Sequence, residues 1–196
     1  CPAEEILWGK IALLNKGAFS KLDCILTSHG DYQNGAMSRP CQSVVAGELI
    51  FEGQAGHGGQ LHQTNALNAA EKAIVLIEKT LAKKFPNTLF RHIIRQAGLI
   101  PTVTPSESRL WYATRGFDFP ETKLAYNEII KVAKSVSETL GIKIHHQLIS
   151  ETRGYLPNDT LGVELYESLK TIGPPKWSSE DLSFMKKLVS EIDPAA

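Results

Sequence analysis

The chain has 196 residues, 42% of them hydrophobic and 21% charged, and its 21 lysines and arginines balance 21 aspartates and glutamates. That composition belongs to a globular protein with room for one sizeable core or two small ones, and it excludes a chain held open by its own charge. With no net field and no basic tract interleaved with aromatics, nucleic acid and anionic membrane surfaces are poor partners.

The apolar runs are too short to cross a bilayer, and no basic-then-apolar segment precedes them, so no membrane partner is expected. Cys1, Cys24 and Cys41 lie far apart with no Cys-x-x-Cys pair, which argues against a zinc ribbon and against a disulfide framework. A reducing, cytoplasmic compartment fits this usage. The chain opens on Cys1 rather than Met, and a longer parent is expected.

At the start, Glu4 and Glu5 are adjacent, and His29 closes a later apolar run. Two neighbouring carboxylates and a histidine suit a metal hydrolase, one carboxylate binding the cation and the other taking a proton from activated water. Acidic residues just after Pro2 are also what a helix start carries for dipole reasons, and these residues alone leave both readings open. Helical spacing over 6–16 ends at Gly17, and 22–27 reads as a short buried strand delivering His29. The polar stretch 30–40, with Gly and Pro, resembles a linker and marks the first boundary.

A regular pattern follows: strand 43–52, helix 65–83, strand 89–95, strand 108–114, helix 121–140, strand 142–149. Ala66, Leu67, Ala70, Ala73, Ile74, Ile77 and Leu81 give the first helix one apolar stripe, and Leu124, Ile129, Val132, Ala133 and Val136 give the second its own. This β-α-β-β-α-β order is the ferredoxin-like unit, an α/β (α+β) arrangement with a four-stranded antiparallel sheet and both helices on one face. The expected divisions are 1–42, 43–150 and 151–196. Past 150, a helix carrying Leu161, Val163, Leu165, Tyr166 and Leu169 closes at Gly173, and Ser178-Ser179-Glu180-Asp181 heads a last, N-capped helix. These end segments are too small to form a core alone.

In order along the chain stand Pro2-Ala3-Glu4-Glu5, Gly9-Lys10, Gly17-Ala18-Phe19, Asp23, His29, Phe51-Glu52-Gly53-Gln54-Ala55-Gly56-His57 and Asn65-Ala66-Leu67-Asn68-Ala69-Ala70. Pro101-Thr102-Val103-Thr104-Pro105 follows, with Arg115 thirteen residues beyond Thr102, then Leu156-Pro157-Asn158 and Gly173-Pro174-Pro175. This ordered set resembles the di-metal aminoacylase and carboxypeptidase superfamily, peptidase family M twenty, and within it the p-aminobenzoyl-glutamate hydrolase type. The resemblance implies a ferredoxin-like lid or dimerisation domain flanked by two partial segments of an α/β metallohydrolase catalytic domain, the middle of a longer enzyme.

The resemblance also implies roles. Glu4 matches the general base, while Glu5 and His29 match metal ligands. His57 matches a histidine that reaches into a partner subunit's active site and polarises the scissile carbonyl. Arg115 matches the residue that grips a substrate carboxylate, and Thr102 stands where the family usually has Asn. His29 is followed by Gly30, where Pro is usual. His62, His92, His145 and His146 carry no motif and read as structural.

The implied cofactors are two divalent metal ions, zinc or manganese, with an incomplete ligand set in this chain. The implied substrate is a small-molecule amide or dipeptide, and a homodimer through the lid is expected. On these terms His57 and Arg115 should share one end of the lid sheet. A non-catalytic ferredoxin-like dimerisation or small-molecule-binding module is the alternative, and a Cys1 nucleophile finds too few strands for the four-layer fold it would need.

Overall fold

The computed structural model describes residues 9–30, 35–59 and 64–192. The elements are α1 (Gly9–Asn15), β1 (Ser43–Glu52), β2 (Gly56–His57), α2 (Ala66–Lys84), β3 (Leu89–Gln96), β4 (Val103–Thr104), β5 (Glu107–Gly116), α3 (Phe119–Leu140), β6 (Lys143–Thr152), α4 (Asp159–Ile172) and α5 (Ser179–Ile192). The chain divides into two compact units. One takes Arg39–Leu156 with the chain up to Ile25, and the other takes Leu26–Ser38 with the chain from Pro157.

In the first unit the four long strands form one sheet in the order β3-β5-β1-β6, every pair antiparallel. This is the topology expected from the element order, with the first and third long strands central. Alternation sorts the two faces. Val45, Leu49 and Phe51 of β1 and Leu110 and Tyr112 of β5 meet one stripe of α2 (Ala66, Ala69, Ala70, Ala73, Ile77, Leu81) and one of α3 (Ala125, Tyr126, Ile129, Ala133, Val136) in a single core. The run of alanines lets α2 lie close to its neighbours.

The two long helices of this unit have chemical starts and stops. The Asn65 side chain accepts from the backbone N–H groups of Leu67 and Asn68 and opens α2, and Asp118 accepts from Glu121 to open α3. Removing such a cap costs about 1 kcal/mol. Gly141, at φ +63°, ends α3 in the left-handed conformation. Gly47 serves packing instead: a Cβ there would stand 2.6 Å from the Tyr126 hydroxyl and 3.1 Å from that of Tyr112. The two tyrosine rings stack at 5.5 Å, and Tyr126 Oη lies 2.7 Å from His146 Nε2. Burial pushes Tyr126 up to about 12 and holds His146 below its ordinary value, with Lys134 and Lys123 adding to the latter.

In the second unit α4 is capped by Asn158, and Ser178 and Asp181 close a reciprocal capping box at the head of α5. Neither helix buries a residue. Residues 22–27, expected as a buried strand, have no regular secondary structure, and Leu22, Ile25 and Leu26 are all more than half exposed. A strand exists only as part of a ladder, and no described strand pairs with this segment. Among the described residues no helix is long and apolar enough to cross a membrane.

Candidate functional site

β1 leaves the sheet at Gly53, whose N–H donates to Ser106 O at 2.8 Å, and a Cβ on Gly53 would run into the Thr64 carbonyl. The chain then reaches β2, which pairs with β4 so that His57 faces Val103, and the Gly58 N–H donates to Thr102 O at 2.9 Å. His57 and Thr102 are therefore neighbours on one small exposed ribbon at the end of the sheet where β5 begins. Gly58 permits the contact: a Cβ there would lie 2.9 Å from the Pro101 carbonyl oxygen. An open, mainly apolar cleft of about 580 Å³ adjoins the ribbon, lined in part by Leu99, Ile100, Val103 and Pro105.

The ring of His57 is oriented chemically as well as spatially. Its Nδ1 accepts from the Gly59 backbone N–H at 3.1 Å. A backbone N–H only donates, so the neutral ring carries its hydrogen on Nε2, which is a donor. His29, in the second unit, is the reverse case. Its Nδ1 lies 2.7 Å from Gly30 O. A carbonyl only accepts, so Nδ1 holds a hydrogen, and in the neutral ring Nε2 keeps its lone pair, as in histidines that bind a metal through Nε2 and donate from Nδ1 to a carbonyl.

Arg115 sits elsewhere. It pairs with Val44 on one side and Leu89 on the other, eight residues along β5 from Glu107. At the rise of an antiparallel strand this is about 27 Å from the end that carries His57 and Thr102. The expectation that His57 and Arg115 share one end of the sheet is therefore corrected for a single chain. His57 follows the end of β1 and Arg115 lies next to the end of β5, and these ends are opposite because β1 and β5 run antiparallel over their full length.

Arg115 belongs to the sheet face away from the helices, together with Arg91, Arg95, Arg109 and Trp111. The buried Glu48 carboxylate is shared between Arg95 and Arg109, 3.3 Å from each, and Arg109 also meets Glu107 at 2.7 Å. Arg95 lies over the Trp111 ring, 5.3 Å from its centroid. A buried carboxylate needs such partners, since unpaired it would be expelled or neutralised. Among the described residues neither Arg91 nor Arg115 has an acidic partner; Arg91 donates only to its neighbour's carbonyl, Phe90 O, at 3.3 Å.

Glu4, Glu5 and His62 lie outside the described residues. Among those described, no three His, Cys, Asp or Glu side chains come together as metal ligands would. His92 stacks on Phe90 at 4.8 Å and His145 pairs with Glu52 at 3.3 Å, both in structural roles. The two-residue strands that join His57 to Thr102 leave no periodic trace in the sequence. Only the turn residues around them, Gly56, Gly58, Gly59, Pro101 and Pro105, mark the place.

No family model matches the chain. It is 26% identical over 198 residues to a component of the p-aminobenzoyl-glutamate hydrolase of Escherichia coli, covering 96% of this chain and 40% of that protein. It is 28% identical over 185 residues to the Xaa-Arg dipeptidase of Mus musculus, covering 92% of this chain and 42% of that protein. The aminobenzoyl-glutamate utilization protein of Klebsiella pneumoniae shares the fold, with a TM-score of 0.57 at 18% identity over 78% of this chain and 42% of that one. The chain thus spans about two fifths of the length of these proteins.

Proposed function

The chain is a relative of the amidohydrolases and peptidases of family M twenty, and from that premise we propose that it is the lid and part of the catalytic domain of a metal-dependent enzyme. The reaction is hydrolysis of the amide bond between an acyl group and an amino acid such as glutamate, as the names of the relatives support. The observation that carries the reading is the pair of opposite histidine tautomers: Nε2 of His29 is fit to hold a cation, and Nε2 of His57 is fit to donate to an oxygen.

Two divalent ions, zinc or manganese, would supply Lewis acidity and lower the pKa of water toward neutrality. His29 and Glu5 would be among their ligands; the resemblance implies that further ligands are needed beyond these, and the isolated chain is expected to be inactive. Glu4 takes the proton of the attacking water as general base. The His57 Nε2–H donates to the carbonyl oxygen of the scissile amide as negative charge develops on it. Arg115 grips the substrate carboxylate with its planar fork, and Thr102 lies on the ribbon that carries His57.

The distance between the two ends of the sheet decides how these residues meet one substrate. In an acylated amino acid the carboxylate and the scissile carbonyl are a few bonds apart, under about 5 Å, whereas His57 and Arg115 of one chain are separated by most of the length of β5. A homodimer resolves this. Among the described residues the outer edge of β3 has no strand partner, and it carries exposed Leu89, Ile93 and Ile94. Antiparallel pairing of β3 with its twofold copy would set each Leu89 end beside the partner's Gln96 end. From Gln96 the partner chain leads into Thr102 and the ribbon bearing His57, so each Arg115 would face the other subunit's His57.

The test is the full-length enzyme assayed for glutamate release from p-aminobenzoyl-glutamate, before and after chelation and with zinc or manganese restored. Activity lost on chelation, regained with metal, and lowered about a hundredfold or more in Glu4→Gln is expected. Hydrolysis indifferent to chelation, or none of any acyl-amino acid or dipeptide, would overturn the reading in favour of a binding module.

A further inference from the structure

Among the described residues, two of the four arginines on the open sheet face are neutralised by Glu48 and Glu107, and the other two meet no carboxylate. The unneutralised two are neighbours. Arg91 pairs across to Ala113, and Arg115 pairs across to Leu89, so the two arginines are diagonal partners on adjacent strands. Diagonal partners of this kind lie about 7–8 Å apart at the backbone, within reach of long side chains. Their side chains share a face. Phe90 and His92 point to the helix side, where Phe90 meets Tyr112, and the intervening Arg91 takes the opposite side with Arg115.

Like charges at such a spacing repel and weaken the sheet. The same face shows the remedy in use around Glu48, yet supplies no carboxylate to Arg91 and Arg115 among the described residues. Two arginines on diagonal positions, with no carboxylate partner among the described residues, form a receptor for a ligand with two anionic groups, each fork able to take one carboxylate in a bidentate grip.

We infer that Arg91 is a second carboxylate-binding residue beside Arg115, so that the site takes amides of a dicarboxylic amino acid, the α-carboxylate on Arg115 and the side-chain carboxylate on Arg91. This rests on the proposed role of Arg115. It also separates the two kinds of relative, because a glutamate side chain complements Arg91 whereas an arginine side chain is repelled by it.

The full-length, metal-loaded enzyme is assayed with p-aminobenzoyl-glutamate, its glutamine counterpart and a dipeptide ending in arginine. Wild type should prefer the glutamate amide over the glutamine amide by about tenfold or more in kcat/KM. Arg91→Met, which keeps the aliphatic stem, should remove that preference by raising KM for the glutamate amide alone, and Arg91→Glu should shift preference toward the arginine dipeptide. Equal turnover of glutamate and glutamine amides by wild type, or equal losses on both in Arg91→Met, would overturn the assignment.

A binding measurement separates this failure from failure of the catalytic reading. Glutarate should raise the melting temperature of wild type more than butyrate does, and the difference should vanish in Arg91→Met. That result with no hydrolysis of any amide would leave the dicarboxylate site standing and remove the proposed reaction. No difference between glutarate and butyrate would remove the site.

Discussion

The two ends of the four-stranded sheet are built on different principles. At the end where β5 begins, the proposed role rests on backbone. A two-residue ribbon joins His57 to the Thr102 segment, glycines at 58 and 59 admit the close approach, and the Gly59 N–H sets the tautomer of the ring. At the other end the proposed role rests on side chains of paired strands, where Arg115 and Arg91 are held in register by the ladder itself. The first end suits a group that must reach across to a reacting carbonyl. The second suits one that must hold a fixed anion.

The largest effect expected from breaking this contrast is at the ribbon. His57→Ala in the full-length enzyme should lower kcat by about a hundredfold or more with metal content unchanged, as loss of an oxyanion donor does. Unchanged kcat would remove His57 from the reaction. Next comes the anion end: Arg115→Lys should raise KM by about tenfold for substrates with a free carboxylate and leave their carboxamide counterparts nearly unaffected, because an ammonium cannot reproduce the two-pronged grip. Equal losses on both substrates would show that Arg115 does not read the carboxylate.

Smaller effects sharpen the picture of the ribbon. Gly58→Ala places a Cβ 2.9 Å from the Pro101 carbonyl, so one strand of the ribbon must shift. A fall in kcat of about tenfold with little change in melting temperature is expected, since a displaced donor loses transition-state contact while the core is untouched. A loss of thermal stability in step with activity would mean the ribbon is structural. The smallest change is Thr102→Asn. It adds an amide with two donors and an acceptor where a hydroxyl stands, and a rise in kcat/KM of about threefold is expected from one more neutral hydrogen bond. A decrease would show that the hydroxyl is the better fit.

The long elements are legible in the sequence for a physical reason. The stripes of α2 and α3 repeat at helical spacing over about four and about three turns, and both caps are written as side chains, Asn65 and Asp118. The bounds of β1 coincide with the expected 43–52, since turn residues follow it at Gly53 and polar chain precedes it. Other features depend on partners rather than period. A two-residue pairing such as β2 with β4 has no period to detect. Arg91 acquires meaning only once the register sets it diagonal to Arg115, and a slip of one residue would have put it on the helix face. The apolar residues at 22, 25 and 26 look like a strand because they are apolar, but nothing among the described residues offers them a ladder. The opposite tautomers of His29 and His57 follow from the neighbouring Gly30 carbonyl and Gly59 N–H, which composition and spacing do not reveal.

The claim that one substrate is served by the two ends from two subunits has a direct test. His57→Ala and Arg115→Met variants of the full-length enzyme are each purified, dissociated, mixed in equal amounts and allowed to reassemble. If each site takes Arg115 from one subunit and His57 from its partner, half of the dimers are mixed and each mixed dimer holds one intact site. Activity should then recover to about a quarter of the wild-type value from two nearly inactive parents. No recovery, with exchange of subunits verified, would mean that His57 and Arg115 serve the same chain and would contradict the account.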